Sequence, residues 1–132
     1  MLIPVLLLAT TMLSHQQTPS PLELANNLAN AYKQAKTVEK IKDLFTDPFT
    51  SSFCNGSIYT INHSDMFEDY INTPQDELPK IENLKILKAE FIEEGKLFYS
   101  TQDDSDKGGS WEFVAKEDKN GKYFIESEKC KE

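Results

Sequence analysis

The chain has 132 residues, of which 22 are acidic and 14 basic, so its net charge is −8 at neutral pH. This balance argues against nucleic acid or anionic lipid as a partner, because both need a basic protein surface. The acidic excess by itself is typical of ordinary solubility.

The first segment, residues 1–15, is typical of a secretory signal peptide. It is rich in leucine, contains no Asp, Glu, Lys or Arg, and is shorter than the ~20 residues that span a bilayer. We place cleavage near Ser14 or His15, and the polar, proline-containing run 16–21 then forms a spacer. Residues 22–132 remain as one secreted domain without membrane contact. The alternative is that the apolar segment is a buried strand or helix of the domain.

Two further features agree with an oxidising, secretory compartment. Cys54 and Cys130 are the only cysteines, and we expect them to form one disulfide bond. The alternative, a reactive thiol, needs a neighbouring group that lowers the thiol pKa. Asn55 and Asn62 each begin an Asn-X-Ser sequon, so both are predicted glycosylation sites.

Two helices are predicted at the start of the domain. Leu24, Leu28 and Tyr32 recur at helical spacing and predict a long helix over about residues 22–36. A shorter helix over residues 38–45 follows, with Thr37 before it as the capping residue.

An extended segment and a third helix follow. Residues 49–61 contain several apolar and β-branched side chains and predict extended structure, with a strand near 57–61. Ser64 or Asp65 is then expected to cap a short helix that ends near Asn72.

The C-terminal third, residues 84–128, predicts a four-stranded antiparallel meander. Gly95 and Gly121 lie in two similar turns, so we predict three-residue loops with a G1 bulge at each glycine. The register that best separates apolar from charged side chains gives the pairs Phe91–Leu97, Ala89–Tyr99, Leu87–Thr101, Ala115–Ile125 and Phe113–Ser127.

This register predicts an inner face made of aromatic and aliphatic residues, without Asp, Glu or His. Its predicted members are Leu87, Ala89, Phe91, Leu97, Tyr99, Trp111, Phe113, Ala115, Tyr123 and Ile125. The opposite face mixes charged residues, Glu126 among them, with scattered apolar ones, a pattern that indicates partial cover or a partner.

The order of elements resembles the nuclear transport factor two-like superfamily, a cone-shaped, cystatin-like α+β fold. The likeness is carried by residues 44–49, by residues 53–56, by Met66-Phe67 and by the closing strand that ends in Cys130. Within the superfamily the chain is similar to the secreted single-domain proteins that are numerous in nematodes. The resemblance implies a curved antiparallel sheet, namely the meander plus the strand near 57–61. The sheet is expected to wrap on the long N-terminal helix, with two shorter helices and a cavity at the wide end.

Enzymes that resemble this fold, such as ketosteroid isomerases and scytalone dehydratases, use an acid or base inside the cone. The predicted inner face has none, and His63 lies within a sequon where surface exposure is expected. We therefore predict a non-enzymatic protein that binds a small apolar ligand in the cone, or a protein partner or second copy through the sheet. The predicted ligand-binding residues are Tyr59, Tyr70, Tyr99, Trp111 and Phe113. Two alternatives stay open: that these residues only fill the core, and that the cavity serves an isomerase- or dehydratase-like enzyme.

No metal or other cofactor is expected. Asp103, Asp104 and Asp106 precede a glycine pair, but in an EF-hand register beginning at Asp104 the position of the bidentate glutamate falls on Ala115. A zinc site lacks histidine and cysteine ligands, because the cysteines are assigned to a disulfide and His15 to the signal segment.

Overall fold

Two helices cover one face of a six-stranded sheet. The computed structural model describes residues 19–35, 37–65, 84–103 and 109–131. In chain order the elements are helices α1 (Pro21–Gln34) and α2 (Val38–Lys42) and strands β1 (Phe45–Ser52), β2 (Ile58–Ile61), β3 (Leu84–Glu93), β4 (Lys96–Asp103), β5 (Ser110–Glu117) and β6 (Tyr123–Lys131).

Several predictions concern residues outside these ranges. They are the signal peptide over residues 1–15, most of the spacer, Tyr70, the body of the third helix, and the aspartates at 104 and 106.

Helix α1 begins where the sequence indicates. The Ser20 hydroxyl accepts a hydrogen bond from the Glu23 backbone N–H at 3.2 Å, and Pro21 occupies the first turn, where no backbone donor is needed. Ala25, Leu28 and Ala29 are buried against the sheet. The helix ends at Gln34, two residues before the predicted boundary.

Helix α2 is capped by Thr37, as predicted, but it is shorter than predicted. It ends at Lys42, and Phe45 opens strand β1 instead of closing the helix. The Ile125 backbone N–H donates to the Leu44 carbonyl at 2.7 Å, and the Phe45 and Phe49 rings lie 4.4 Å apart in the core. Pairing with β6 therefore overrides the helical spacing of the apolar residues.

The predicted extended segment 49–61 is two strands joined by a tight turn. The Phe53 N–H donates to the Ser57 carbonyl at 2.8 Å, and Gly56 in the turn has a φ of 89°. Strand β1 pairs with β2 in antiparallel orientation and with β6 in parallel orientation. The sheet order is β2-β1-β6-β5-β4-β3, so the sheet is mixed and not purely antiparallel as predicted.

The meander β3 to β6 is confirmed, with two corrections to its register. The pairs Phe91–Leu97, Ala89–Tyr99 and Ala115–Ile125 are observed. However, Thr101 pairs with Ile86 and not Leu87, and Phe113 pairs with Glu128 and not Ser127. In each case the pairing shifts by one residue, at Leu87 in β3 and at Glu126 in β6.

The two turns differ from each other. Gly121 has a φ of 84°, and the hydrogen bonds from Gly121 N–H to the Asp118 carbonyl and from Asp118 N–H to the Lys122 carbonyl close the predicted three-residue loop. Gly95 also has a positive φ, 76°, but Glu93 pairs directly with Lys96. The first loop therefore has two residues, and the irregularity lies between Phe91 and Glu93.

The predicted disulfide is confirmed. Cys54 in the β1–β2 turn is bonded to Cys130 near the end of β6, with their Cα atoms 5.0 Å apart. The bond excludes the alternative of a reactive thiol. It fastens the last strand of the meander to the edge pair formed by β1 and β2.

The described helices include none that is long and apolar enough to cross a membrane.

Candidate ligand-binding site

One row of side chains crosses the inner face, which we define as the sheet face packed by α1 and α2. Directly paired residues on neighbouring strands point to the same face, so the pairings identify the row. This central row consists of Tyr59, Ser51, Glu128, Phe113, Tyr99 and Ala89, from β2 to β3.

Glu128 is the one acidic residue of the central row, and its presence there corrects the prediction of an inner face without Asp, Glu or His. The Ser51 hydroxyl, fully buried, donates to Glu128 Oε1 at 2.8 Å. Burial raises the pKa of the Glu128 carboxyl, and the hydrogen bond from Ser51 partly opposes this effect. The carboxyl group is therefore biased towards its neutral form, in which it can donate a hydrogen bond or a proton.

Tyr99 lies two strands away in the same row. Its ring stacks on Phe113 with centroids 4.9 Å apart, and its side chain is almost completely buried. Burial raises the pKa of the Tyr99 hydroxyl well above its usual range, with smaller contributions from Glu128 and from Tyr32 of α1. Tyr99 therefore stays a neutral hydrogen-bonding group.

On one side of the central row the inner face is sealed by an apolar row. This row contains Phe45, Ile125, Ala115, Leu97 and Phe91. Ala25 and Leu28 of α1 and Ile41 of α2 pack in the same clusters, and the three middle residues are completely buried. Phe91 at the sheet edge is an exception, since 44% of its surface is exposed. This end of the inner face is a filled core.

On the other side lies a rim row with a different character. It contains Cys130, Trp111, Thr101 and Ile86. Trp111 is partly exposed, whereas Thr101 is fully buried and its hydroxyl has no hydrogen-bond partner among the residues that the structure describes. Buried polar groups are normally paired, so the Thr101 hydroxyl, beside the central row, has hydrogen-bonding capacity that no described residue uses.

Two exposed aromatic rings flank the β2 end of the central row. Tyr59 pairs with Ser51, and its ring centroid lies 5.2 Å from that of Phe53. Both side chains are more than 40% exposed, at 49% for Tyr59 and 42% for Phe53. Apolar ring surface therefore remains accessible next to the Ser51–Glu128 pair.

Four of the five predicted ligand-binding residues lie on this face. Tyr59, Tyr99 and Phe113 share the central row, and Trp111 is in the rim row; Tyr70 lies outside the described residues. Their role in binding stays a prediction. Sequence reasoning missed Glu128, because regular alternation from Ile125 directs both Glu126 and Glu128 outward, and only the one-residue shift at Glu126 turns Glu128 inward.

His63 is a structural residue, and the prediction of simple surface exposure is wrong. Its ring is partly buried, and Nε2 lies 3.1 Å from the Phe45 carbonyl oxygen and 3.0 Å from that of Thr46. Because carbonyl oxygens only accept, Nε2 carries the proton. The third helix also begins at His63, ahead of the predicted caps Ser64 and Asp65.

The two sequon asparagines are exposed, and each takes part in a local hydrogen bond. Asn55 Oδ1 accepts from the Ser57 N–H at 2.9 Å, and Asn62 Nδ2 donates to Asp65 Oδ2 at 3.3 Å. Glycosylation at these positions stays a prediction.

Two other kinds of site find no support. Among the residues described, no three His, Cys, Asp or Glu side chains are grouped as metal ligands. A shallow depression of about 350 Å³ lies by the β5–β6 turn, away from the central row, and opens widely to solvent. Its two lysines balance its two acidic residues. The lining residues are Thr46, Lys116, Glu117, Asp118, Lys119 and Phe124.

The chain matches no known protein family by sequence, and no curated protein matches it significantly. Solved structures do share its fold. A ketosteroid isomerase-like protein from Erwinia carotovora atroseptica superposes with a TM-score of 0.54 at 10% identity, covering 83% of this chain and 91% of that one. An NTF2-like protein of unknown function from Shewanella oneidensis gives 0.57 at 10% identity, covering 84% and 95%.

A de novo designed protein with a curved β-sheet also superposes, with a TM-score of 0.54 at 15% identity, covering 82% of this chain and 96% of the designed one. The chain therefore has the α+β fold with a curved, mixed sheet that NTF2-like and ketosteroid isomerase-like proteins share. At these identities the likeness establishes the fold and not an activity.

Proposed function

We propose that this protein is a secreted, non-enzymatic protein that binds a small, largely apolar molecule on the inner face, beside Glu128. The observation that carries the proposal is the partly buried Glu128 carboxyl, held by Ser51 within a row of aromatic side chains. Small-molecule sites typically combine an apolar wall with a few placed polar groups. The central row has this composition, and the rim row adds Trp111.

Tyr59 and Ile58 provide a matched pair for testing the site. They are adjacent on β2 and both exposed, but Tyr59 belongs to the central row and Ile58 points to the opposite face. We expect Tyr59→Ala to weaken binding of a neutral apolar dye such as Nile red by about tenfold, because it removes an accessible ring worth roughly 1–2 kcal/mol. Ile58→Ala should leave the affinity within about twofold of the wild type.

Dye fluorescence measures this affinity, and quenching of Trp111 provides a second signal, because the chain contains one tryptophan. Native mass spectrometry of protein purified from a secretion medium tests for a retained small molecule. Failure of the dye to bind wild-type protein, or equal losses in the two variants, would reject the inner face as the site.

The secretory part of the proposal is supported by the disulfide between Cys54 and Cys130. Expression of the full chain in a eukaryotic secretory cell line tests it. We expect a secreted product whose amino terminus lies near residue 15 and whose mass falls on glycosidase treatment if Asn55 or Asn62 is modified. Retention inside the cell with residues 1–15 still attached would contradict secretion.

The second candidate is an isomerase- or dehydratase-like enzyme, and the observation that favours it is again Glu128. A carboxyl group with a raised pKa suits proton transfer, and the neutral Tyr99 hydroxyl lies in the same row. If a substrate is found, Glu128→Gln should abolish turnover and preserve substrate binding. Unchanged turnover in this variant would exclude the role.

Exposed apolar side chains on β3 support a second contact surface, for a protein partner or a second copy of the chain. Leu87 and Ile92 are each more than half exposed. Sedimentation velocity of the wild type and of Leu87→Asp tests the homodimer. If the wild type is a monomer at all accessible concentrations, the homodimer is excluded and a different protein remains as the proposed partner.

A further inference from the structure

We infer that the molecule bound beside Glu128 is an organic cation, with an amine or quaternary ammonium group on an apolar body. The inference rests on the proposed function, because it names the ligand class of the same site. The charge and the aromatic content of the inner face support it.

The first feature is a carboxyl group without a positive partner. Within the described part of the chain, the groups that act on Glu128 are its own burial and the Ser51 hydroxyl, and no lysine compensates its charge. A buried carboxylate is costly unless it is paired. A ligand cation would provide the missing partner.

The second feature is that three lysines on β4 and β6 lie on the outer face of the sheet, opposite to Glu128. Lys129 and Lys131 flank Cys130 on the same strand as Glu128, but they pair across the outer face, where Lys131 Nζ lies 3.6 Å from Glu112 Oε1. Lys96 is likewise 3.2 Å from Glu126 Oε1 on the outer face. Glu126 therefore has a lysine counter-ion, which the described part of the chain does not provide for Glu128.

The third feature is the surrounding aromatic surface. Phe113 is the direct neighbour of Glu128 on β5, while Tyr59 and Phe53 lie on the β2 side and Trp111 is in the next row. The negative faces of aromatic rings attract cations, most strongly where water is excluded. Together, one carboxylate and several rings provide both interactions that an organic ammonium group uses.

Other ligand head groups fit less well. An anion would meet Glu128 without any cation to offset the repulsion, on a protein whose net charge is already −8. A neutral alcohol gains a hydrogen bond but leaves the carboxylate uncompensated. Of the three head groups, only a cation attracts the Glu128 carboxylate strongly enough to offset the free-energy cost of removing it from water.

Three probes with one apolar body distinguish these classes: 4-phenylbutylamine, 4-phenylbutanol and 4-phenylbutanoate. We expect the amine to bind the wild type at least about tenfold more tightly than the alcohol, because a hydrogen bond to a charged group is worth about 1.5–3 kcal/mol. Isothermal titration at neutral pH measures all three affinities.

Glu128→Gln should reduce the affinity for the amine to about that for the alcohol and leave the alcohol nearly unchanged, since the Gln side chain still accepts from Ser51. Glu126→Gln is the matched control, because it removes the same charge two residues away on the outer face. It should leave all three affinities unchanged and so separates a local effect from a change in net charge.

The number of protons released when the amine binds provides an independent measurement. Among the described residues, the groups that face Glu128 are Ser51 from β1, Phe113 from β5 and Tyr99 from β4, and Tyr32 from α1 acts on Tyr99. Tyr99 stays neutral near neutral pH, because burial raises its pKa. At a pH near the raised pKa of Glu128, binding of the amine should therefore release protons from Glu128 alone. Titration in two buffers of different ionisation enthalpy counts them, and Glu128→Gln should release none.

Tight binding of the amine, sensitivity to Glu128→Gln and proton release would together support the inference. Equal affinities for the three probes, or a preference for the alcohol or the anion, would overturn it and leave the binding function in place. If none of the three probes and no apolar dye binds, the proposed function itself fails.

Discussion

Glu128 links the protonation of one carboxyl group to the stability of the chain. Its pKa is raised in the folded protein because burial disfavours the charged form, whereas unfolding returns the group to water. The folded state therefore holds this proton more tightly than the unfolded state. Its contribution to stability is fully present below the ordinary pKa of glutamate and is lost as the pH rises through the raised pKa.

Glu128→Gln tests this linkage. We expect the variant to be more stable than the wild type at neutral pH, because the glutamine keeps an acceptor for Ser51 and carries no charge to bury. Below the ordinary pKa of glutamate the difference should disappear, since the wild-type carboxyl is then neutral too. Urea unfolding monitored by Trp111 fluorescence across this pH range measures the free energies.

Glu126→Gln is a control variant, for which we expect a change in stability in the opposite direction. Glu126 is ion-paired with Lys96 on the outer face, so its loss should destabilise the protein by up to about 1 kcal/mol at neutral pH. Destabilisation by Glu128→Gln at neutral pH would show that the buried carboxylate is compensated in the folded protein.

The inward orientation of Glu128 depends on a bulge in strand β6. Ala115 pairs with Ile125, but Val114 pairs with Ser127, so Glu126 is an extra residue in the strand. Side chains alternate between faces along a strand, and one added residue reverses the faces of all that follow. The bulge therefore places Glu128 on the inner face and Ser127 on the outer one.

Strand β3 contains a second bulge of this kind, at Leu87. Ile86 pairs with Thr101 and packs against the core, whereas Leu87 is 57% exposed. We expect Ile86→Ala to lower the free energy of unfolding by about 2 kcal/mol, as for large-to-small changes in a core. Leu87→Ala should cost about 0.5 kcal/mol or less, since it lies at the surface.

Urea denaturation of the two alanine variants compares these neighbouring positions directly. Similar losses in both would contradict the burial of Ile86 in preference to Leu87. A larger loss at Leu87 than at Ile86 would mean that the bulge is absent in solution.

At the scale of the whole molecule, the mixed sheet depends on joining distant parts of the chain. Strand β1 lies beside β6 although the two are far apart in sequence, and the bond between Cys54 and Cys130 closes a loop with a sequence separation of 76. A cross-link of this span removes much of the conformational freedom of the unfolded chain. The parallel β1–β6 pairing benefits from it directly.

The double variant Cys54→Ser/Cys130→Ser tests the contribution of the disulfide. The chain-entropy relation for a loop of this length predicts a loss of about 4.5 kcal/mol in the free energy of unfolding. Urea denaturation of the oxidised wild type and the double variant, at the same pH, measures it. A loss below about 1 kcal/mol would show that the packing of β1 on β6 maintains the structure without the bond.

Local chemistry in the sequence determined the features that depend on neighbouring residues. Ser20 and Thr37 cap their helices, Gly95 and Gly121 have positive φ, and the four-stranded meander is present, because caps, turns and alternation act over a few residues. The disulfide was also predictable, because the chain has just two cysteines. The resemblance of the chain to the NTF2-like fold agrees with the solved structures that share it.

Only the tertiary structure decided which glutamate faces inward, where β1 begins and which strand it joins. Each of these depends on contacts between residues far apart in sequence: Phe45 leaves its helical pattern to pack on Ile125, and Glu128 turns inward between Phe113 and Ser51. A single extra residue in β6 hardly alters the sequence pattern. It nevertheless places a carboxyl group on a face that alternation alone predicts to be uncharged, and the proposed ligand site depends on that group.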